Sequence, residues 1–295
     1  MANTAASAQQ RVKVKKTSQT GEVMKRLFTN KSATICMFIF LAIILATVFA
    51  PLLAPYDPTY MDATAIYSGP TKAHLFGCDK LGRDILSRML YGGRYSLSLG
   101  LLGVLLSLVL GMVFGAIAGF FGQVADNIVM RLMDIIQAIH GMLLSMVIST
   151  VLGPGFINTI IALSIGGIPM NCRMLRSSIL QIRSSEYVEA ASSINCSQWR
   201  IIVKHIIPNC FAPLLVGSTM GIGGTIMQAA SLSFIGLGVQ PPTPEWGAML
   251  SEGRNFVTTH PHLIAFPGIA IGLVSLVVCV WGDGLRDAMD PKLKK

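Results

Sequence analysis

The sequence has few charged residues. Aspartate, glutamate, lysine and arginine make up 13% of its 295 residues, which is about half their share in an average soluble domain. Residues of the apolar set make up 52%. So few charges could not cover the surface of a soluble protein of this length, and the composition therefore indicates a lipid bilayer as the solvent.

Several signatures of chemistry are absent as well. The sequence contains no G-x-x-x-x-G-K-[ST] loop for nucleotide phosphates, no H-E-x-x-H zinc motif and no G-x-S-x-G nucleophile turn. Its six cysteines form no C-x-x-C pair, and only Cys78 falls on the outer side of the spans proposed below. We therefore predict no catalytic residue, no cofactor, no metal site and no disulfide framework, and we expect Cys78 to be the one thiol accessible from outside.

Long stretches without charge are present, and they predict membrane helices. A helix needs about 20 apolar residues to cross the hydrocarbon core. Gly153-Pro154-Gly155 divides one charge-free stretch, over residues 135–172, into two crossings. The sequence predicts an all-α membrane protein with six transmembrane helices, at roughly 33–54, 95–121, 128–152, 156–178, 210–235 and 262–282.

Lysine and arginine are distributed unequally between the predicted loops. If both termini are cytoplasmic, the inner side carries 17 of these residues and the outer side carries 6, as the positive-inside rule requires. Much of the excess lies in residues 1–31, which we interpret as a basic cytoplasmic tail beside anionic lipid rather than a nucleic-acid-binding arm. We therefore predict cytoplasmic N- and C-termini and no nucleic-acid partner.

Two features stand out within the predicted spans. Gly111, Gly115 and Gly119 recur at four-residue spacing, which places them on one face of the second helix and favours close packing against a neighbour. His140 is one of the few ionisable residues inside a predicted span. Nearby methionines raise metal binding as an alternative, but packing or pore lining is the interpretation that we favour for His140.

The loop between the fourth and fifth predicted helices is too long for a tight turn. Val188, Ala191 and Ile194 recur there at helical spacing, which predicts short amphipathic helices on the cytoplasmic face. One interpretation is an interfacial helix that only anchors the bundle. The other is a docking surface for a partner, since the loop offers small side chains and one acid together.

A family resemblance favours the docking surface. The loop is similar to the EAA motif of bacterial binding-protein-dependent importer permeases, with asparagine where the family has glycine and isoleucine where it has leucine. In that family this loop, here 179–209, docks into a separate ATPase subunit. The residues that carry the resemblance are Glu189, Ala190, Ala191, Asn195, Ile207 and Pro208.

Three further segments resemble the dipeptide/oligopeptide/nickel subfamily of these permeases. Residues 234–247 resemble its outer loop, and residues 282–291 resemble its ending. The outer segment is similar to the signature G-T-D-x-x-G-R-D-x-x-S-R, with cysteine in place of threonine, and its close charges predict a pinned local network. The matching residues are Gly77, Asp79, Gly82, Arg83, Asp84, Ser87 and Arg88.

The resemblance implies a type I ABC importer permease, the C-type subunit of an importer of dipeptides or oligopeptides in the bacterial cytoplasmic (inner) membrane. It also implies three kinds of partner: a B-type permease, two ATPase subunits and an external solute-binding protein. The implied organisation is a tail over 1–31, a first helix with an external segment over 32–93, a permease domain over 94–287 and a C-terminal tail over 288–295.

Two alternatives remain open, one for the cargo and one for the energy source. A permease of the same family could carry nickel or another metal complex, and a secondary transporter of a different class would need no ATPase. His140 and Asn171 fall where the resemblance places the translocation path, and both depart from residues that the family often has there. We expect these two residues to line the pore.

Overall fold

A computed structural model describes residues 19–183, 196–197, 200 and 207–289 of the chain. Helix is the regular structure of these residues, and their only β-type pairing is an isolated bridge between Cys78 and Asp84. The all-α class predicted from the sequence is therefore confirmed for the described part of the chain. Its helices are α1 (Gln19–Thr29), α2 (Lys31–Val48), α3 (Ala50–Leu53), α4 (Ile85–Phe120), α5 (Gln123–Ala138), α6 (Gly141–Leu152), α7 (Phe156–Arg183), α8 (Ile207–Phe234), α9 (Trp246–Gly253) and α10 (His262–Met289).

Three of these helices, α2, α4 and α10, are long and apolar enough to cross a membrane. The bent pair of α5 and α6 passes the same criterion if the two are counted as one span. Helices α7 and α8 have 28 residues each, a length that also exceeds the roughly 20 residues needed for a crossing. The described helices are thus those of a multi-span bundle.

Helix α4 begins at Ile85 rather than at residue 95, where the sequence analysis placed its start. Asp84 caps it by accepting a hydrogen bond from the backbone N–H of Ser87. The charges that were taken to end the span are instead accommodated within the helix, since Arg88 is buried in an ion-pair network and Arg94 donates to two backbone carbonyls. With 36 residues, α4 is about 54 Å long and extends beyond a hydrocarbon core of about 30 Å.

The predicted third span, 128–152, is wrong as a single helix. Helices α5 and α6 meet at 90°, and Ile139 and His140 between them have extended backbone dihedrals. Charge-free sequence continues across the break, so hydropathy alone gives no sign of it. A smaller departure occurs in the first span, where the helix predicted over 33–54 divides into α2 and α3 at Phe49, two residues before Pro51.

Helices α4 and α7 form the closest contact of the bundle. They run parallel, because Gly111 faces Asn171 and Gly119 faces Ile179. A Cβ atom added at Gly115 would lie 2.7 Å from the carbonyl oxygen of Cys172. The glycines predicted to pack a helix therefore lie where α4 approaches the backbone of α7, which is the arrangement that small residues permit in membranes.

A second layer of helices closes on this pair. Helix α8 packs between α4 and α10, and α10 in turn packs against α2. A buried cluster that includes Ile226, Trp246, Met249 and Val274 joins α8, α9 and α10 near the start of α4. The short helix α9, which the sequence analysis did not predict, is thereby fixed between α8, α10 and the start of α4.

We expect Gly115→Leu to prevent normal assembly, because a leucine side chain would force the backbones of α4 and α7 apart. The measurement is the amount of folded chain recovered from membranes by size-exclusion chromatography. Gly272→Leu is the matched control, since a Cβ atom at Gly272 meets nothing within 4 Å. Normal recovery of Gly115→Leu would contradict the packing role.

Candidate functional site

The outer family motif forms a tight turn that leads into α4. Gly77 and Gly82 both have positive φ, at 79° and 75°. Glycine is required at Gly82 for a second reason, because an added Cβ atom would collide with the carbonyl oxygen of Asp62. The carboxylate of Asp79 closes the turn by accepting hydrogen bonds from the backbone N–H groups of Leu81, at 2.8 Å, and Arg83, at 3.0 Å.

The charges of this motif form one buried network with Glu252 of α9. Arg83 Nε lies 2.6 Å from Asp79 Oδ2, and Arg83 Nη2 lies 3.0 Å from Glu252 Oε2. Arg88 Nη2 reaches the same Glu252 oxygen at 3.1 Å. The side chains of Arg83 and Arg88 are only 2% and 1% exposed. Two buried guanidinium groups therefore share two carboxylates, which fixes α9 against the start of α4.

Asp84 and Ser87 join the same turn to the segment that precedes it. Besides capping α4, Asp84 accepts a hydrogen bond from the hydroxyl of Ser87 at 2.8 Å. Its other oxygen lies 3.0 Å from Nδ1 of His74. Ser87 Oγ accepts from the backbone N–H of Tyr56 at 3.1 Å. The pinned local network predicted from the close charges is present, and the external segment is ordered against the bundle.

Sequence reasoning missed two acids of this outer layer, Glu252 and Glu245. Glu245 is 1% exposed, caps α9 by accepting from the N–H groups of Gly247 and Ala248, and accepts from Ser96 Oγ at 2.7 Å. A signal for a further acid was available. The motif carries three cations, with Lys80 at its edge, against two aspartates, so that its burial required another carboxylate.

The expectation that Cys78 is open to reagents from outside is wrong. Its side chain is fully buried under Ser68 and the start of α4. Burial raises the pKa of the Cys78 thiol, with nearby aspartates acting in the same direction. Since the thiolate is the reactive form, this cysteine is shielded both by packing and by its protonation state.

A second charged group lies towards the other end of α4 from this network, where α5 meets α7. Arg176 forms a bidentate ion pair with Asp126 near the start of α5. Arg173 Nη2 lies 2.6 Å from Asp134 Oδ1, and Arg173 also contacts the side-chain oxygen of Gln137. Unlike the outer network, this second pair is open, with side chains that are 39% and 56% exposed for Arg173 and Asp134.

The two residues predicted to line a pore lie in different surroundings. His140 is exposed at the bend between α5 and α6, one turn and a half beyond Asp134. Asn171 is half-buried between α7 and α4, where its amide donates to Ser107 Oγ at 3.2 Å and its Cβ faces Gly111. The structure thus brings His140 near the exposed ion pair of Asp134 and Arg173 along α5, and places Asn171 in a helix contact.

The predicted docking loop falls mostly outside the described residues. This applies to Glu189, Ala190, Ala191 and Asn195. Ile207 and Pro208 are described as the first residues of α8. Helix α7 is described as far as Arg183 and α8 from Ile207, so that these two helices flank the loop.

We expect Glu252→Ala to destabilise the chain by roughly 3–5 kcal/mol, because it leaves two buried guanidinium groups without their shared carboxylate. Thermal unfolding of the purified protein and the rate of proteolysis within residues 55–93 measure the effect. Lys80→Ala is the control. Its side chain is 43% exposed and 4.0 Å from Glu252, so we expect about 1 kcal/mol or less. Equal effects of the two changes would show that the buried network does not hold the outer layer.

Comparison with known proteins gives matches over nearly the whole chain. Residues 111–295 match the profile of the family described as binding-protein-dependent transport system inner membrane component. Residues 18–70 match the N-terminal TM domain of oligopeptide transport permease C. The two matched regions flank the charged motif of the outer layer.

Two curated relatives illustrate the similarity. The dipeptide transport system permease protein of Alkalihalophilus pseudofirmus is 41% identical over 273 residues, which cover 92% of this chain and 90% of that protein. The glutathione transport system permease protein of Escherichia coli O6:K15:H31 is 44% identical over 266 residues, which cover 90% of this chain and 88% of that protein.

A solved structure shares the fold at low sequence identity. An inward-facing conformation of the MetNI methionine ABC transporter contains a chain that superposes with a TM-score of 0.53 and 17% identity. The superposition covers 68% of this chain and 95% of that one. Since a family profile matches more than half of the sequence and relatives above 40% identity span nine-tenths of it, this chain belongs to the family of binding-protein-dependent transport system inner membrane components.

Proposed function

We propose that this chain is a membrane permease subunit of an ATP-driven, binding-protein-dependent importer of short peptides. The observation that carries the proposal is the family membership together with relatives named for dipeptide, di/tripeptide and glutathione transport. These names favour peptides over the nickel or metal-complex cargo that the sequence left open. The C-type subunit pairs with a B-type permease, two ATPase subunits and an external solute-binding protein.

The proposed topology has six spans and cytoplasmic termini in a bacterial cytoplasmic membrane. The spans are α2, α4, the bent pair α5–α6, α7, α8 and α10. Support comes from the 17-to-6 distribution of basic residues and from the parallel course of α4 and α7, which requires one crossing between them. The domain bounds expected from the sequence, 1–31, 32–93, 94–287 and 288–295, stay a prediction, and the boundary between residues 93 and 94 falls inside α4.

The translocation path follows the exposed face of α5 and α6. The exposed pair of Asp134 and Arg173 lies on α5 and α7, two helices of the proposed spans. An exposed ion pair is costly in lipid, and charged groups within spans usually face water or protein. The pair of Asp134 and Arg173, with His140 above it at the bend, therefore supports a hydrated path on this side of the bundle.

Coupling to ATP hydrolysis passes through the loop over 179–209. In this proposal, the ATPase subunits move the loop, and α7 carries the displacement into the bundle because its last described residues belong to the loop. The bidentate pair between Arg176 and Asp126 ties α5 to the same end of α7. A shift of the loop thus reaches α5, and through α5 it reaches the bend at His140.

Replacing Ala190 with tryptophan tests the docking role, because steric bulk at a small-residue surface blocks a close contact. Glu189→Lys reverses the charge offered to the ATPase, a change worth about 2–5 kcal/mol if the contact is desolvated. We expect both variants to reach the membrane at normal levels, and to lose ATPase co-purification and peptide uptake.

The control for these variants is Ala5→Trp in the N-terminal tail, which we expect to leave both measurements unchanged. Uptake lost with ATPase binding retained would place the defect in the path instead of the loop. Normal uptake and normal co-purification in both loop variants would contradict the docking proposal. Uptake that survives ATP depletion but collapses with the proton gradient would identify the chain as a secondary transporter.

A further substitution tests the path. Asp134→Asn leaves Arg173 as an unpaired positive charge on the exposed face, and we expect initial peptide uptake to fall several-fold. Protein levels are expected to hold, since an exposed ion pair contributes about 0–1 kcal/mol to stability. Asp57→Asn, the same change at an exposed acid of the external segment, is the control. Uptake unchanged by Asp134→Asn would remove this face from the path.

A further inference from the structure

A long apolar slot lies beside α4. Its volume is about 680 Å³, and it is bounded by α2, α4, α8 and the inner part of α10. Its walls are almost entirely hydrocarbon, with only scattered hydroxyl groups. Side chains that line it along its length include Phe40, Val48, Leu101, Leu108, Leu215 and Ile222.

The shape of the slot limits what can occupy it. Its α4 wall extends from Arg94 to Leu108, which is about 21 Å along the helix. A single extended hydrocarbon chain suits a slot of this length with walls of this composition.

The chemistry of the walls excludes a peptide as the occupant. A peptide backbone carries one donor and one acceptor per residue, and these groups lose free energy when they are buried without partners. The slot offers only a few hydroxyl groups, such as those of Ser98, Ser218 and Thr219.

One end of the slot carries a positive charge. Arg94 lies there and donates hydrogen bonds to the carbonyl oxygens of Thr47, at 2.7 Å, and Val48, at 2.5 Å, where α2 ends. Within the described residues, no carboxylate forms a salt bridge with Arg94. At the other end, Phe40 and Trp281 pack together with ring centroids 6.1 Å apart. The slot is therefore a hydrocarbon channel with a cation at its outer mouth.

We propose that this slot binds one acyl chain of an outer-leaflet phospholipid, with the lipid phosphate beside Arg94. The acyl chain fills a space that would otherwise separate α2 from α4, and the guanidinium compensates the phosphate charge at the level where α2 ends. The lipid thus acts as a structural ligand that attaches the first span to the bundle.

Native mass spectrometry of the assembled complex, extracted into a mild detergent, tests the proposal. Ser98→Phe places an aromatic ring in the slot, and we expect this variant to lose one retained phospholipid per copy of this chain. Leu41→Phe is the control, because Leu41 is 46% exposed on α2 and does not line the slot. An equal lipid count in Ser98→Phe and the unaltered complex would overturn the proposal.

A second measurement uses Trp281, which lines the slot at the end away from Arg94. The complex is reconstituted in vesicles of phosphatidylethanolamine and phosphatidylglycerol whose acyl chains are brominated near their ends, and tryptophan fluorescence is recorded. Bromine quenches nearby indoles, so we expect stronger quenching of the unaltered complex than of Trp281→Phe. Equal quenching of the two would overturn the proposal even if Ser98→Phe failed to assemble.

Two further variants test whether Arg94 holds the lipid phosphate and whether a helix of the partner permease occupies the slot instead. Arg94→Gln is expected to retain less phosphatidylglycerol relative to phosphatidylethanolamine, and an unchanged ratio would overturn the placement of the phosphate. A cysteine introduced at Leu101 is expected not to cross-link to the partner permease. Efficient cross-linking would show that a partner helix covers the slot, and would overturn the lipid proposal while leaving peptide import unaffected.

Discussion

The close approach of α4 and α7 is the constraint on which the rest of the structure depends. Hydrocarbon supplies no hydrophobic force between helices, so that helices associate there through packing and hydrogen bonds. Three glycines let α4 lie against the backbone of α7 over about two turns of helix. Because α4 starts in the outer charged layer and α7 ends at the loop on the other side, this pair connects the two faces of the bundle mechanically.

The other faces of α4 are held by different kinds of interaction along its length. Its first turns carry Arg88 into a buried network whose acids come from the turn before it and from α9. Further along, small residues such as Gly100 and Gly103 admit α8, and the neighbouring side of α4 borders the apolar slot. Ion pairs thus hold the first turns of α4, and close packing holds the apolar part that follows.

The sequence predicts the helical class, most helix positions and the outer network, because each of these depends on local composition or on close spacing. It does not predict Glu252 as a partner of Arg83, since 169 positions separate the two residues and no spacing rule relates them. It also misses the early start of α4, because an arginine within a helix is indistinguishable by hydropathy from an arginine in a loop. The burial of Cys78 has the same origin, since it depends on how distant segments fold over the turn.

The bend at His140 has a consequence for the energetics of movement. A continuous helix resists bending because its backbone hydrogen bonds must stretch or break. Between α5 and α6 that ladder is already interrupted, as Ile139 and His140 have extended dihedrals and α6 restarts with the N–H of Leu144 donating to the carbonyl of His140. Torsional rotation about these two residues can therefore change the angle between the half-helices while both hydrogen-bond ladders stay intact, which makes the middle of this span a low-cost pivot.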